Sequence, residues 1–182
     1  SALAYRENVA QTAEAVRRAH DAGVWVEAEL GEVGGKDGVH APGARTDPGQ
    51  AVEFVTATGV DALAVAVGSS HAMIERTAAL DLQRITELAA AVDVPLVLHG
   101  SSGVPDADIA RAVHAGLTKI NIATHLNLTL TRALREYLEE HPDVVDPRKY
   151  LGAGRDALAT ETARLIGVIN GDGKAGDDNL AR

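Results

Sequence analysis

At 182 residues and 18.9 kDa the chain has the size of about one domain, and 46% apolar residues are enough for a core, which excludes disorder. The 17 Lys plus Arg stand against 26 Asp plus Glu, a net charge of −9 without any basic run, which argues against nucleic acid as a partner. Cysteine is absent, so disulfides, thiolate metal sites and a cysteine nucleophile are excluded and any metal must bind through His, Asp or Glu. No apolar run approaches the ~18 residues of a membrane span and no signal-peptide pattern opens the chain, so a soluble, cytoplasmic protein is expected.

Residues 7–22 place Val9, Ala13, Val16 and His20 at helical spacing, with Gly23 as a stop. The β-branched and aromatic stretch 24–30 predicts a strand, followed by a glycine-rich, charged loop over 31–45. Thr46 or Asp47 caps a helix with Pro48 in its first turn, ending at Gly59. The alternation continues with strand 62–67, helix 81–92, strand 95–98, helix 105–115 and strand 119–122. Helices from about 126 to 138 and from 155 to 169 follow, before a polar tail over 171–182. Short, near-continuously apolar strands alternating with helices imply parallel strands covered on both faces, hence an α/β fold. Periodicity alone leaves a doubly wound sheet and a (β/α)8 barrel equally open.

The polar residues sit where parallel strands end. His71 follows the run ALAVAVG, His99 closes PLVLH and Asn121 lies near the end of KINI. Right-handed crossovers bring such ends to one rim, so these side chains are expected to converge. Two histidines and a carboxylate form a donor set for a divalent ion such as zinc, with positions left for substrate. Glu27 and Glu29 share one face of their strand and need either a cation or an interior Lys or Arg as partner. The small-residue segments HGSSG (99–103) and NIAT (121–124) each lead into a helix, a setting in which backbone N–H groups cradle an anion without side-chain bulk.

The stretches VEAELGEVGG (26–35), TDPGQAVEFV (46–55), TGVDALAVAVGSSH (58–71), VPLVLHGSSGVPD (94–106), KINIAT (119–124) and DPRKYLGAGRDAL (146–158) together resemble the class II, zinc-dependent ketose-bisphosphate aldolases of the fructose and tagatose type. The resemblance implies a (β/α)8 TIM barrel, of which residues 1–170 supply the C-terminal half, about strands 5–8. It also implies an Asp-His pair on an earlier strand, carrying a third zinc histidine and the main catalytic Asp; no Asp-His dipeptide occurs here. The 182 residues by themselves are therefore expected to be inactive.

By position, the resemblance assigns His71, His99 and Glu29 to Zn2+. It assigns Ala72, Gly100, Ser101, Ser102, Asn121, Ile122, Ala123 and Thr124 to the substrate's triose phosphate. The family has Gly where Ala72 stands, and the added Cβ would crowd the phosphate or a monovalent cation. Asp37 follows the Gly34–Gly35 pair where the family carries an acidic proton-transfer residue on a mobile loop, one methylene longer. The implied reaction is reversible cleavage of a ketose 1,6-bisphosphate to dihydroxyacetone phosphate and glyceraldehyde 3-phosphate through a zinc-stabilised enediolate, in a homodimer or homotetramer. Three rivals remain: a Schiff-base aldolase on Lys119, another metal-dependent sugar-phosphate enzyme such as a deoxy-keto-gluconate phosphate aldolase, and a non-catalytic half-barrel completed by a partner.

Overall fold

The computed structural model describes residues 3–30, 45–71 and 73–171; Asp37, Ala72 and the tail from 172 lie outside the described residues. Helix α1 (Tyr5–Asp21) leads into β1 (Glu27–Glu29), and α2 (Pro48–Thr58) into β2 (Ala62–Val65). Then follow α3 (Leu82–Ala91), β3 (Leu96–Leu98), a 3-10 turn (Ser101–Gly103), α4 (Asp106–Ala115), β4 (Leu117–Ile120), α5 (Thr124–Glu140) and α6 (Pro147–Asn170).

Local chemistry sets several of these boundaries. The Asp47 carboxylate accepts from Gln50 N–H at 3.0 Å and Pro48 opens α2, while Gly59 closes it in the left-handed conformation. Asp81 caps α3 in the same way, its carboxylate 3.0 Å from Arg84 N. Strand β1 is shorter than the sequence predicts. The Val24 N–H turns back to the Ala19 carbonyl at the end of α1, leaving Val24 and Trp25 exposed.

The four strands form one parallel sheet in the order β1-β2-β3-β4. Leu63, Val65, Leu96 and Leu98 point to the helices, where they meet Phe54, Ile85, Leu88 and Leu117 in the main core. The opposite face is lined by small residues, Ala62, Ala64 and Val97. Pairing of Glu27 with Ala62 and of Glu29 with Ala64 puts both carboxylates on that second face. A register irregularity between Leu96 and Val97 skips Thr118 and sets Lys119 opposite Val97. That bulge turns the ammonium to the carboxylates' face and starts β4 two residues before the expected strand.

Helix α6 begins well before the predicted 155. Asp146 caps it, its carboxylate accepting from Arg148 N–H at 3.0 Å, and Pro147 takes the first position. The added turns include Gly152 and Gly154, and Gly154 is a contact residue. A Cβ there would come within 2.1 Å of Leu134 Cδ1, so the bare backbone is what lets α5 and α6 pack. Parallel βα units around a small-residue inner face are those of a TIM barrel, and the described residues supply four such strands.

Candidate metal and phosphate site

His71 does not end its strand; six residues beyond Val65, it arrives by a loop pinned to β3. The Ser69 hydroxyl donates to the His99 carbonyl at 2.6 Å. Gly100, at φ +65°, lies so close to the returning chain that a Cβ would stand 2.6 Å from the Ser70 carbonyl carbon and 2.9 Å from His71 N. Only glycine meets both demands. The result is an edge-on pair of imidazoles, His71 and His99, with ring centroids 5.8 Å apart.

His99 follows Val97 in the alternation and so rises from the same face as the two glutamates. Its Nδ1 lies 2.7 Å from Glu29 Oε2 and its Nε2 2.9 Å from Glu27 Oε1. The Glu29 hydrogen bond, with smaller help from Glu27, raises the His99 pKa above its ordinary value although partial burial opposes the charge. Burial raises the Glu29 pKa, but hydrogen bonding and charge, with the His99 imidazole the largest contributor, outweigh it and lower the carboxyl to about 2. Glu27 is lowered likewise, against burial, by Lys119 and His99. Lys119 Nζ donates to Glu27 Oε2 at 2.6 Å, so of the two partners open to the glutamates, a lysine, here half exposed, takes Glu27.

Glu29, His71 and His99 offer donor atoms that all lie within 4.8 Å of one another. Tetrahedral zinc bonds of about 2.0–2.2 Å require donors roughly 3.3–3.6 Å apart, so adjustments of about an ångström would close the set. Two imidazoles and a carboxylate also match zinc's preferred chemistry. Metal entry must displace the proton shared by His99 and Glu29.

The two small-residue loops are tied to each other. The Ser101 hydroxyl donates to the Asn121 carbonyl at 2.5 Å, Asn121 N–H donates to the Leu98 carbonyl at 2.9 Å, and His125 N–H donates to Ser102 Oγ at 3.1 Å. Ser101 is therefore occupied as a fastener between the loops. The first N–H groups of α5 have no acceptor within the helix, which leaves donors beside Ala123 and Thr124 for an anion.

Beside these loops runs an ionic chain that the sequence does not announce, because all of its links but the Glu161–Arg164 pair join residues far apart along the backbone. His125 Nε2 sits 2.6 Å from Glu161 Oε1, which Arg164 Nη2 meets at 2.7 Å. Arg164 also pairs with Asp106, which pairs with Arg76, and Arg76 Nε reaches the Val104 carbonyl at 2.9 Å. Burial raises the Asp106 carboxyl, but the two guanidinium groups outweigh it and set the pKa below the ordinary value. A carboxyl depressed in the folded state stabilises above its unfolded pKa of ~3.9 and loses that contribution as pH falls through its folded value. Asp106→Asn is thus expected to cost about 1 kcal/mol at pH 7, with the gap from the parent narrowing below about pH 4. Urea unfolding at a series of pH values measures both; a gap independent of pH would refute the ionic account.

Solved structures place these features among known proteins. The YdjI aldolase from Escherichia coli K12 is 38% identical over 97% of this chain, with a TM-score of 0.79 and 61% of its own length covered. A Coccidioides immitis protein described as a fructose-1,6-bisphosphate aldolase is 28% identical over 95% of the chain, at TM-score 0.80 and 61% of its length. The Campylobacter jejuni fructose-bisphosphate aldolase, 22% identical over 92% of the chain and covered for 57% of its length, shares the fold at TM-score 0.73. The chain thus spans about three-fifths of the proteins it matches. The family model described as fructose-bisphosphate aldolase class-II matches residues 1–174, and with that match the chain belongs to the class II fructose-bisphosphate aldolase family.

Proposed function

We propose that this chain supplies the metal and triose-phosphate half of an active site for aldol cleavage of a ketose 1,6-bisphosphate, of fructose or tagatose type. The observation that carries the reading is the Glu29, His71 and His99 donor cluster lying on the rim that also carries the two interlocked small-residue loops. Zinc held by these three residues would supply Lewis-acid polarisation of the substrate's carbonyl. The backbone amides of Gly100, Ser101 and Ser102, and those of Ile122, Ala123 and Thr124, hold the phosphate. The Asn121 side chain orients the triose.

Cleavage breaks the bond between C3 and C4, so the C4 hydroxyl must yield a proton and C3 must take one up. Asp37 is assigned to that proton traffic together with the Asp that the resemblance places on an earlier strand. Ala72, where the family has Gly, is assigned to the phosphate by the resemblance, and its added Cβ would crowd the phosphate or a monovalent cation beside it. Residues 1–170 act as the barrel unit and 171–182 as its tail, within a cytoplasmic homo-oligomer. Lys119 disfavours a Schiff-base route, because its ammonium is engaged by Glu27 and an amine nucleophile would have to break that pair. No helix among the described residues is long and apolar enough to cross a membrane.

The test couples triose-phosphate release to NADH oxidation in the barrel-length protein containing this chain, with the 182 residues alone as comparison. Cleavage in the longer protein is expected to vanish with EDTA and return with zinc, and borohydride is expected to trap no lysine adduct. Chelator-insensitive turnover, or an adduct on Lys119, would overturn the proposal.

A further inference from the structure

We infer that Glu27 and Lys119 are positioning residues that orient the His99 imidazole, Nε2–H toward Glu27 and Nδ1 toward the Glu29–His71 cluster, so that a divalent cation is taken on Nδ1. The inference rests on the metal-site reading above and goes beyond it by assigning the ring's two edges. Glu29, a member of the donor cluster, touches Nδ1 at 2.7 Å, whereas Glu27, outside the cluster, touches Nε2 at 2.9 Å. A metal-binding imidazole is neutral and carries a single N–H. A carboxylate on the far edge fixes that proton there and turns the lone pair to the metal.

The fold brings Glu27 its own partner from the other end of the sheet. The β4 bulge sets Lys119 on the inner face, and the small side chains of Ala62, Ala64 and Val97 leave that face open between β4 and β1. Lys119 Nζ takes Glu27 Oε2 at 2.6 Å, leaving Oε1 for His99. With both oxygens engaged, Glu27 is kept from swinging into the cluster as a further ligand. A coordination position is thereby left for substrate.

The test uses the 182-residue chain and metal alone. With 15N-labelled histidine and 113Cd2+ as probe, NMR is expected to show cadmium coupling to Nδ1 of His99 and a proton on Nε2. Zinc titration against a chromophoric chelator is expected to show affinity about 10–100-fold weaker in Glu27→Leu, with Glu27→Gln, which keeps an acceptor, in between. Lys119→Met is expected to weaken the Nε2–H signature without removing any ligand. Circular dichroism separates these effects from loss of fold, and the parent's NMR reading requires no variant to fold. Cadmium coupling to Nε2, or unchanged zinc affinity in folded Glu27→Leu, overturns the positioning role while leaving the metal site standing. A parent chain that binds neither ion overturns the metal-site reading itself.

Discussion

His99→Ala is expected to abolish tight zinc binding by the chain and aldol cleavage by the barrel-length protein. Sharing the roughly 10–16 kcal/mol of a four-ligand zinc site among its ligands gives on the order of 3 kcal/mol for one imidazole, a loss of a hundredfold or more in affinity. The substitution does more than remove a donor. It leaves Glu27 and Glu29 facing each other across the space His99 had filled, with Lys119 bonded to Glu27. Two carboxylates without the imidazole between them repel, so the remaining Glu29 and His71 donors also lose their placement. Isothermal titration with zinc measures the first effect and the coupled assay the second. Zinc affinity within a few-fold of the parent would show that His99 is not a ligand.

Phe54→Ala is expected to destabilise the chain by about 3–5 kcal/mol, the cost of deleting a fully enclosed ring and leaving a cavity. Phe54 is the one phenylalanine in the sequence and is 0% exposed, packed from α2 into the core of Leu63, Ile85 and Leu88 beneath the sheet. Its ring also meets that of Tyr5 on α1 at a centroid distance of 6.5 Å, so the cavity would loosen the first helix as well. A loss that large is a substantial share of the 5–15 kcal/mol of an ordinary domain. Urea unfolding measures the change; a shift under about 1 kcal/mol would mean that the surrounding leucines collapse into the space.

Much of this architecture is legible along the sequence because its causes are local. Asp47, Pro48 and Gly59 bracket α2 with a cap, a preset φ and a left-handed stop, all within a dozen residues. The apolar runs around Leu63 and Val97 announce buried parallel strands, since no solvent-facing alternation interrupts them. His99 is marked by its strand-end position and Glu27 and Glu29 by their shared face, the choice of Glu29 coming from the family resemblance, and the fold brings Glu29 to 2.7 Å from His99. What escaped depended on contacts between distant segments. The β4 bulge, which decides where Lys119 points, arises from pairing with β3 and leaves no mark in LTKI. The close packing at Gly154 shows only where Leu130 and Leu134 of α5 occupy the space a side chain there would need. The chain from His125 through Glu161, Arg164 and Asp106 to Arg76 joins three helices and a loop, and beyond the i,i+3 pair of Glu161 with Arg164 no spacing rule links charges whose distance is set by helix packing. Sequence alone determined the βα alternation and which polar residues follow the strands, because backbone preference and burial act over a few residues. Only the tertiary structure decided which carboxylate meets which edge of His99, because that choice depends on the register of four strands and on a lysine 92 positions away from Glu27.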